Sequence, residues 1–191
     1  RDQTIAYFAS RGAMDIEGLG EQMVEKLTAA NLVHDPADLY GLTVEQLVSL
    51  DRVGPTSAQN LVDATEKSKT RPLPKLLTAL GVRHLGPAAS LALTNAFHTL
   101  DAIMSKSEEE LAAVEGVGGV IADTIVSWFA QDVNRAYIER LRSAGVSFGD
   151  PGAAEAAEAA RAATPQTLEG KAVVVTGTLA VLFNLIADLV Y

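Results

Sequence analysis

Between residues 16 and 129 the apolar positions fall into short blocks at helical spacing, and each block follows an apolar residue and a glycine: Leu19-Gly20, Val53-Gly54, Leu85-Gly86 and Val117-Gly118. These glycines are 34, 32 and 32 residues apart. Behind them run Met23, Val24 and Leu27; Ala58, Leu61 and Val62; Ala88, Leu91 and Ala92; and Ile121, Ala122, Ile125, Val126 and Phe129. Such spacings place each set on one face of a helix, so four helices are predicted, each opening at a glycine turn. Pro55 and Pro87 fall on the first helical residue, where the missing N–H is harmless and φ is already helical.

A longer period overlies this one. Residues 43–54 align with 107–118 without a gap, at an offset of 64. Thr43-Val-Glu-Gln46 and Ser107-Glu-Glu-Glu110 both read as capping boxes that start a helix. Leu47, Leu50 and Val53 then match Leu111, Val114 and Val117. The unit is therefore a doubled helix–hairpin–helix, present twice. The pattern stops at Asp150-Pro-Gly. Residues 150–167 are rich in Ala and Glu, with helix propensity but little to bury, and are predicted to be a linker. Residues 168–191 read as strand, turn and helix, with Ala172-Val-Val-Val175 as the strand. A membrane span over 172–191 is disfavoured by Thr176, Gly177, Thr178, Asn184 and above all Asp188.

Charge changes the picture where the mean hides it. The net charge is −9, yet residues 51–98 hold six basic side chains (Arg52, Lys67, Lys69, Arg71, Lys75, Arg83) against three acidic ones. A polyanion would meet this middle segment first. The glycine turns supply a way for an acidic protein to hold one: the first N–H groups of a helix lack intrahelical partners and suit a phosphate oxygen. Around the second hairpin, Arg52, Gly54, Thr56 and Ser57 are the candidate phosphate contacts, reinforced by Lys67, Lys69 and Arg71 beyond the helix. Around the third they are Arg83, His84 and Gly86. The fourth offers Gly116, Gly118 and Gly119, with Glu115 and Asp123 counting against it. Glu21 repels phosphate from the first hairpin, so Gly20 is expected to serve the fold. A β-branched residue at Gly54 or Gly86 is expected both to block a phosphate and to strain the turn.

Other chemistry is thinly represented. The chain has no cysteine, which removes thiol nucleophiles and cysteine-bound metals, and His34, His84 and His98 are too scattered for a metal triad. His34 and His98 share one place in the 64-residue repeat, which favours a packing or surface role. Gly116-Val-Gly-Gly-Val-Ile121 lacks the last glycine of a dinucleotide fingerprint and follows a helix, so it should not bind NAD.

The run Ser10-Arg-Gly-Ala-Met-Asp-Ile-Glu-Gly-Leu-Gly20, the DPADLY run at 35–40, Leu80-Gly-Val-Arg-His-Leu-Gly86 and the VEGVG run at 114–118 resemble the helix–hairpin–helix domain of bacterial NAD-dependent DNA ligase. The resemblance covers roughly residues 1–149. It implies that residues 1–9 are the exit of a zinc module lying outside the chain, and that 168–191 begin a BRCT domain. Arg52 stands where the hairpin pattern prefers a first glycine. The family's adenylated lysine lies in a Lys-x-Asp-Gly motif, and no lysine here is followed by that pattern.

The expectation is an all-α fold of tandem helix–hairpin–helix repeats with four hairpins (10–149), followed by a linker (150–167) and a short, incomplete α/β BRCT-like segment (168–191). Its expected role is to grip nicked double-stranded DNA through the phosphate backbone, without sequence preference, for a ligase whose other domains do the sealing. The rival readings are a DNA-binding module of a repair nuclease or branch-migration protein, and a protein-interaction scaffold. No cofactor is expected on this segment, while the resemblance implies NAD, magnesium and zinc for the intact enzyme. No signal peptide is evident, and the expected location is cytoplasmic, away from membranes.

Overall fold

Capping chemistry sets the helix boundaries of the protein, whose computed structural model describes residues 1–163. The helices are α1 (Asp2–Ala9), α2 (Glu21–Ala29), α3 (Val44–Val48), α4 (Pro55–Ser68), α5 (Leu73–Ala79), α6 (Pro87–Phe97), α7 (Leu100–Met104), α8 (Glu108–Ala112), α9 (Gly118–Ala130), α10 (Asp132–Ser143) and α11 (Pro151–Ala163), with a 3-10 turn at Pro36–Gly41. Both predicted capping boxes form. Thr43 Oγ1 accepts from the Gln46 N–H while Gln46 Oε1 accepts from the Thr43 N–H, and Ser107 and Glu110 repeat the exchange. Pro55 and Pro87 stand at the start of α4 and α6. Among the described residues there is no strand, only an isolated bridge between Thr99 and Gly149.

Helices pair across the glycine turns as α1 with α2, α3 with α4, α5 with α6, and α8 with α9. The repeat is thus two copies of a two-hairpin unit, all-α as expected. Leu27, Leu47, Leu76, Leu77, Leu93, Leu100 and Leu111 are fully buried where the pairs meet. The helical unit extends ahead of the boundary expected at residue 10. Residues 1–9 form α1, the first arm of the first hairpin, and Ile5, Phe8 and Ala9 lie in the shared core.

Residues 132–150 strap the two repeats together. Arg140 forks onto Asp35 and Asp38 of the first repeat. Arg142 binds Asp101 of the second, with one bond of 2.9 Å, and lies 4.8 Å over the Phe148 ring. The hydrogen bond from Arg142 holds the Asp101 carboxyl below the usual carboxylate range. Past α10, Ser147 N–H donates to Lys69 O and Leu100 N–H to Phe148 O, each at 2.8 Å. The strap crosses His98 so closely that a Cβ on Gly149 would fall 2.1 Å from the His98 carbonyl oxygen, at φ +107°. Only glycine fits there.

Arg1–Ala157 form one compact unit, and Glu158–Tyr191 fall in a second, whose described residues, 158–163, continue α11. The first part of the predicted linker is helical. Asp150 Oδ1 accepts from the Ala153 N–H at its start, and none of its residues is buried, as the absence of an apolar stripe dictated. The BRCT-like segment at 168–191, and the membrane span considered over 172–191, lie outside the described residues. Among the described residues, no helix is long and apolar enough to cross a membrane.

Candidate nucleic-acid interface

All four glycine turns are one five-residue structure: Ile16–Gly20, Leu50–Gly54, Val82–Gly86 and Val114–Gly118. In each, the N–H of the fourth residue (Leu19, Val53, Leu85, Val117) donates to the carbonyl of the first, at 3.0–3.3 Å. The fourth side chain is buried in every case, so it anchors the tip while its neighbours face solvent. The third residue has positive φ throughout: Gly18 at +87°, Arg52 at +58°, His84 at +68° and Gly116 at +88°. Two tips therefore use glycine where the left-handed backbone asks for it, and two place a cationic or titratable side chain there.

That choice costs roughly 1–2 kcal/mol for each non-glycine residue. Arg52→Gly and His84→Gly should therefore not lower thermal stability, and each can gain up to about 1 kcal/mol after the extra freedom of the unfolded glycine is discounted. Duplex DNA affinity should fall at the same time. Differential scanning fluorimetry beside a binding titration checks both signs, and a stability loss at either site would contradict the strain described here.

The last glycine of each tip behaves differently from the expectation. Gly20, Gly54 and Gly86 cap α2, α4 and α6 with φ of −80°, −84° and −90°, backbone that any residue adopts. A Cβ at any of the three would meet no atom within 4 Å. The predicted strain of a substitution at Gly54 or Gly86 is thus corrected, as is the special folding role of Gly20. The fold leaves this space open at all three tips. Hairpin 4 departs from the others, because α9 begins at Gly118 itself with φ +71° and is capped by Val117. Gly116, Gly118 and Gly119 are all exposed there.

At the second tip, Ala58 N–H makes the first helical bond, to Gly54 O, which leaves the N–H groups of Thr56 and Ser57 without intrahelical partners. At the third, Ser90 bonds to Gly86 O and frees those of Ala88 and Ala89. Arg52, Gly54, Thr56, Ser57, Arg83 and His84 are exposed and Gly86 half-buried, so the structure brings the expected candidates to two helix starts.

Charge separates the tips. Their second residues are Glu17, Asp51, Arg83 and Glu115, so only the third hairpin carries a cation there. At the second, Arg52 Nε lies 3.6 Å from its neighbour Asp51, which offsets its charge. Aligning the five-residue turns, instead of their glycines alone, exposes this ranking in the sequence. Lys67, Lys69 and Arg71 do not reinforce the second tip. Fourteen-residue α4 carries its far end about 20 Å from Gly54. Lys69 also pairs with Glu66 at 2.7 Å and Arg71 with Asp15 at 2.8 Å. Asp123 is the sixth residue of α9, beyond its first turn, and so weighs less on the fourth tip than expected. His34 faces Asp38 and His98 ends α6 with φ +67°, both in connecting turns away from the tips.

Two helix–hairpin–helix families match the chain: the one described as "SAM-like Helix-hairpin-helix tandem" over residues 11–67, and "Helix-hairpin-helix motif" over residues 75–138. Three relatives, all named DNA ligase, extend the likeness. That of Gemmatimonas aurantiaca is 42% identical over 92% of this chain and 24% of its own length. That of Heliobacterium modesticaldum is 46% identical over 93% and 26%. That of Pelotomaculum thermopropionicum is 48% identical over 75% and 21%. The chain spans about a quarter of the length of the curated relatives it matches.

Proposed function

We propose, from its likeness to DNA ligases of which it spans about a quarter of the length, that the helical unit of this chain binds duplex DNA through the phosphate backbone and helps to clamp a nicked duplex for sealing. The observation that carries this reading is the open space at the N-caps of α4 and α6. Neither a steric clash nor a positive φ calls for glycine at Gly54 or Gly86, and a cap without a side chain leaves room for an outside group to reach the free N–H groups behind it. Contacts of this kind read the backbone and not the bases. The third hairpin, with Arg83 and His84, leads; the second, with Arg52, Thr56 and Ser57, follows.

With about three to five phosphates neutralised, log K should fall against log salt with a slope of about −3 to −4.5. Titration of a labelled duplex at several salt concentrations measures it, and a flat response would turn the reading toward a protein-interaction scaffold. Exchanging the DNA sequence should change little.

Sealing chemistry is assigned to other parts of an intact, NAD-dependent enzyme, acting in the cytoplasm. With no cysteine in the chain, and with no group of three or more His, Asp or Glu placed to share a metal among the described residues, the donors present here do not fit zinc. NAD and magnesium are likewise assigned elsewhere, because no lysine lies in a Lys-x-Asp-Gly motif. Incubated with labelled NAD and magnesium, these 191 residues should take up no covalent adenylate, as read under denaturing conditions beside an active ligase. A lysine-linked label on this chain would overturn that division of labour.

A further inference from the structure

We infer that Gln3, Thr4 and Tyr7 of α1 form the second wall of the DNA-backbone site at the third hairpin, receiving the sugar and phosphate next to the phosphate held at Gly86. The inference rests on the phosphate-binding reading of that hairpin and adds an element to it. A groove of about 560 Å³ runs between the two, with Gln3, Thr4 and Tyr7 on one side and His84, Leu85 and Gly86 on the other. It is continuous with the open N-cap of α6.

Its electrostatics set it apart. The chain carries 24 acidic residues, and the other grooves described on its surface each include carboxylates: Asp15 and Glu17, Glu17 and Asp63, or Asp2, Glu21 and Glu25. No carboxylate lines the groove beside His84. Arg83, exposed and without an ion-pair partner among the described residues, adjoins it in the chain. Gln3 also borders the acidic groove of Asp2, Glu21 and Glu25, so the polyanion is drawn to the carboxylate-free side that Arg83 and a helix start flank.

The wall supplies fitting chemistry. The Gln3 amide and the Thr4 hydroxyl are neutral donors suited to phosphate oxygens. Tyr7 is 45% exposed and is the only aromatic among the large exposed apolar side chains of the described residues. Its ring offers an apolar face to a deoxyribose.

Gln3 is exposed on the first turn of α1, so a charge can be introduced there without disturbing the core. Binding of a fluorescent nicked duplex by the 191-residue chain is measured for Gln3→Glu, Gln3→Lys, Gly86→Val and the remote control Gln131→Glu, with melting temperatures alongside. Gln3→Glu should lose about tenfold in affinity at low salt, the loss shrinking as salt rises. Gln3→Lys should bind more tightly than the parent, with a salt slope steeper by about one unit, a gain that misfolding cannot mimic. Gln131→Glu, at the far end of α9, should bind as the parent does. If both Gln3 variants match the Gln131→Glu control while Gly86→Val binds weakly, α1 is no part of the site and this inference falls, with the hairpin reading intact. If Gly86→Val also binds as the parent does, the hairpin reading falls and takes the inference with it.

Discussion

Gly54→Val and Gly86→Val should each leave the fold intact and lower duplex DNA affinity by about tenfold or more, the loss of one or two charge-assisted hydrogen bonds to a phosphate. The two halves of this expectation have separate physical origins. Stability is preserved because both glycines occupy extended backbone near φ −90° and because their Cβ positions are empty. Removing a glycine from the unfolded chain favours the folded state slightly, which partly offsets the modest cost of valine at a helix N-cap. Affinity falls because the same empty position lies in front of the free N–H groups of Thr56 and Ser57, or of Ala88 and Ala89. Gly20→Val provides the contrast. It should fold equally well, yet cost little affinity, because Glu21 at the start of α2 and Glu17 in the tip already repel phosphate. Thermal melts and binding titrations of the three variants decide the matter. Binding losses that track unfolding would remove the phosphate role, and equal losses at Gly20 and Gly86 would refute the ranking of the tips.

The largest effect on stability is expected from Phe8→Ala, at about 3–5 kcal/mol. Phe8 is fully buried and meets the ring of Tyr40 edge-on, with centroids 6.3 Å apart. Tyr40 in turn hydrogen-bonds Ser68 at the end of α4, at 3.0 Å, and burial pushes its hydroxyl up to about 12. Truncating Phe8 leaves a cavity where α1, the 3-10 turn and α4 converge, a region too interlocked to collapse cheaply. A fall in melting temperature of roughly 6–20 °C is expected for a unit of this size. An unchanged melting temperature would detach α1 from the unit.

The hairpins themselves were legible in the sequence because they are local. A capping box spans four residues, a hairpin tip five, and an amphipathic face repeats every three or four, so Thr43 to Gln46, Ser107 to Glu110, the prolines at 55 and 87, and the buried anchors Leu19, Val53, Leu85 and Val117 all stand in the order of the chain. The same locality ranks the tips once they are aligned residue by residue, through Glu17, Asp51, Arg83 and Glu115. The αL backbone of His84 carries no glycine signal, because the turn demands a conformation that histidine also adopts at a cost.

What the tertiary structure alone decided depends on contacts between residues far apart in the chain. Arg71 reaches Asp15 across 56 positions, and Arg140 reaches Asp35 across 105, so cations that the sequence offers to a partner are consumed internally. The length of α4 carries Lys67 and Lys69 away from the tip they follow in sequence. α1 joins the first hairpin through core packing and through long-range hydrogen bonds such as Arg1 to Thr28 O, while an eleven-residue connection without a distinctive cap separates it from α2. Gly149 is required by the His98 carbonyl, 51 residues earlier. Spacing along the chain encodes hydrogen bonds within a turn or two. Which distant surfaces meet, and so which charges and grooves remain free, is fixed by how complementary apolar faces close against one another, and no local period carries that information.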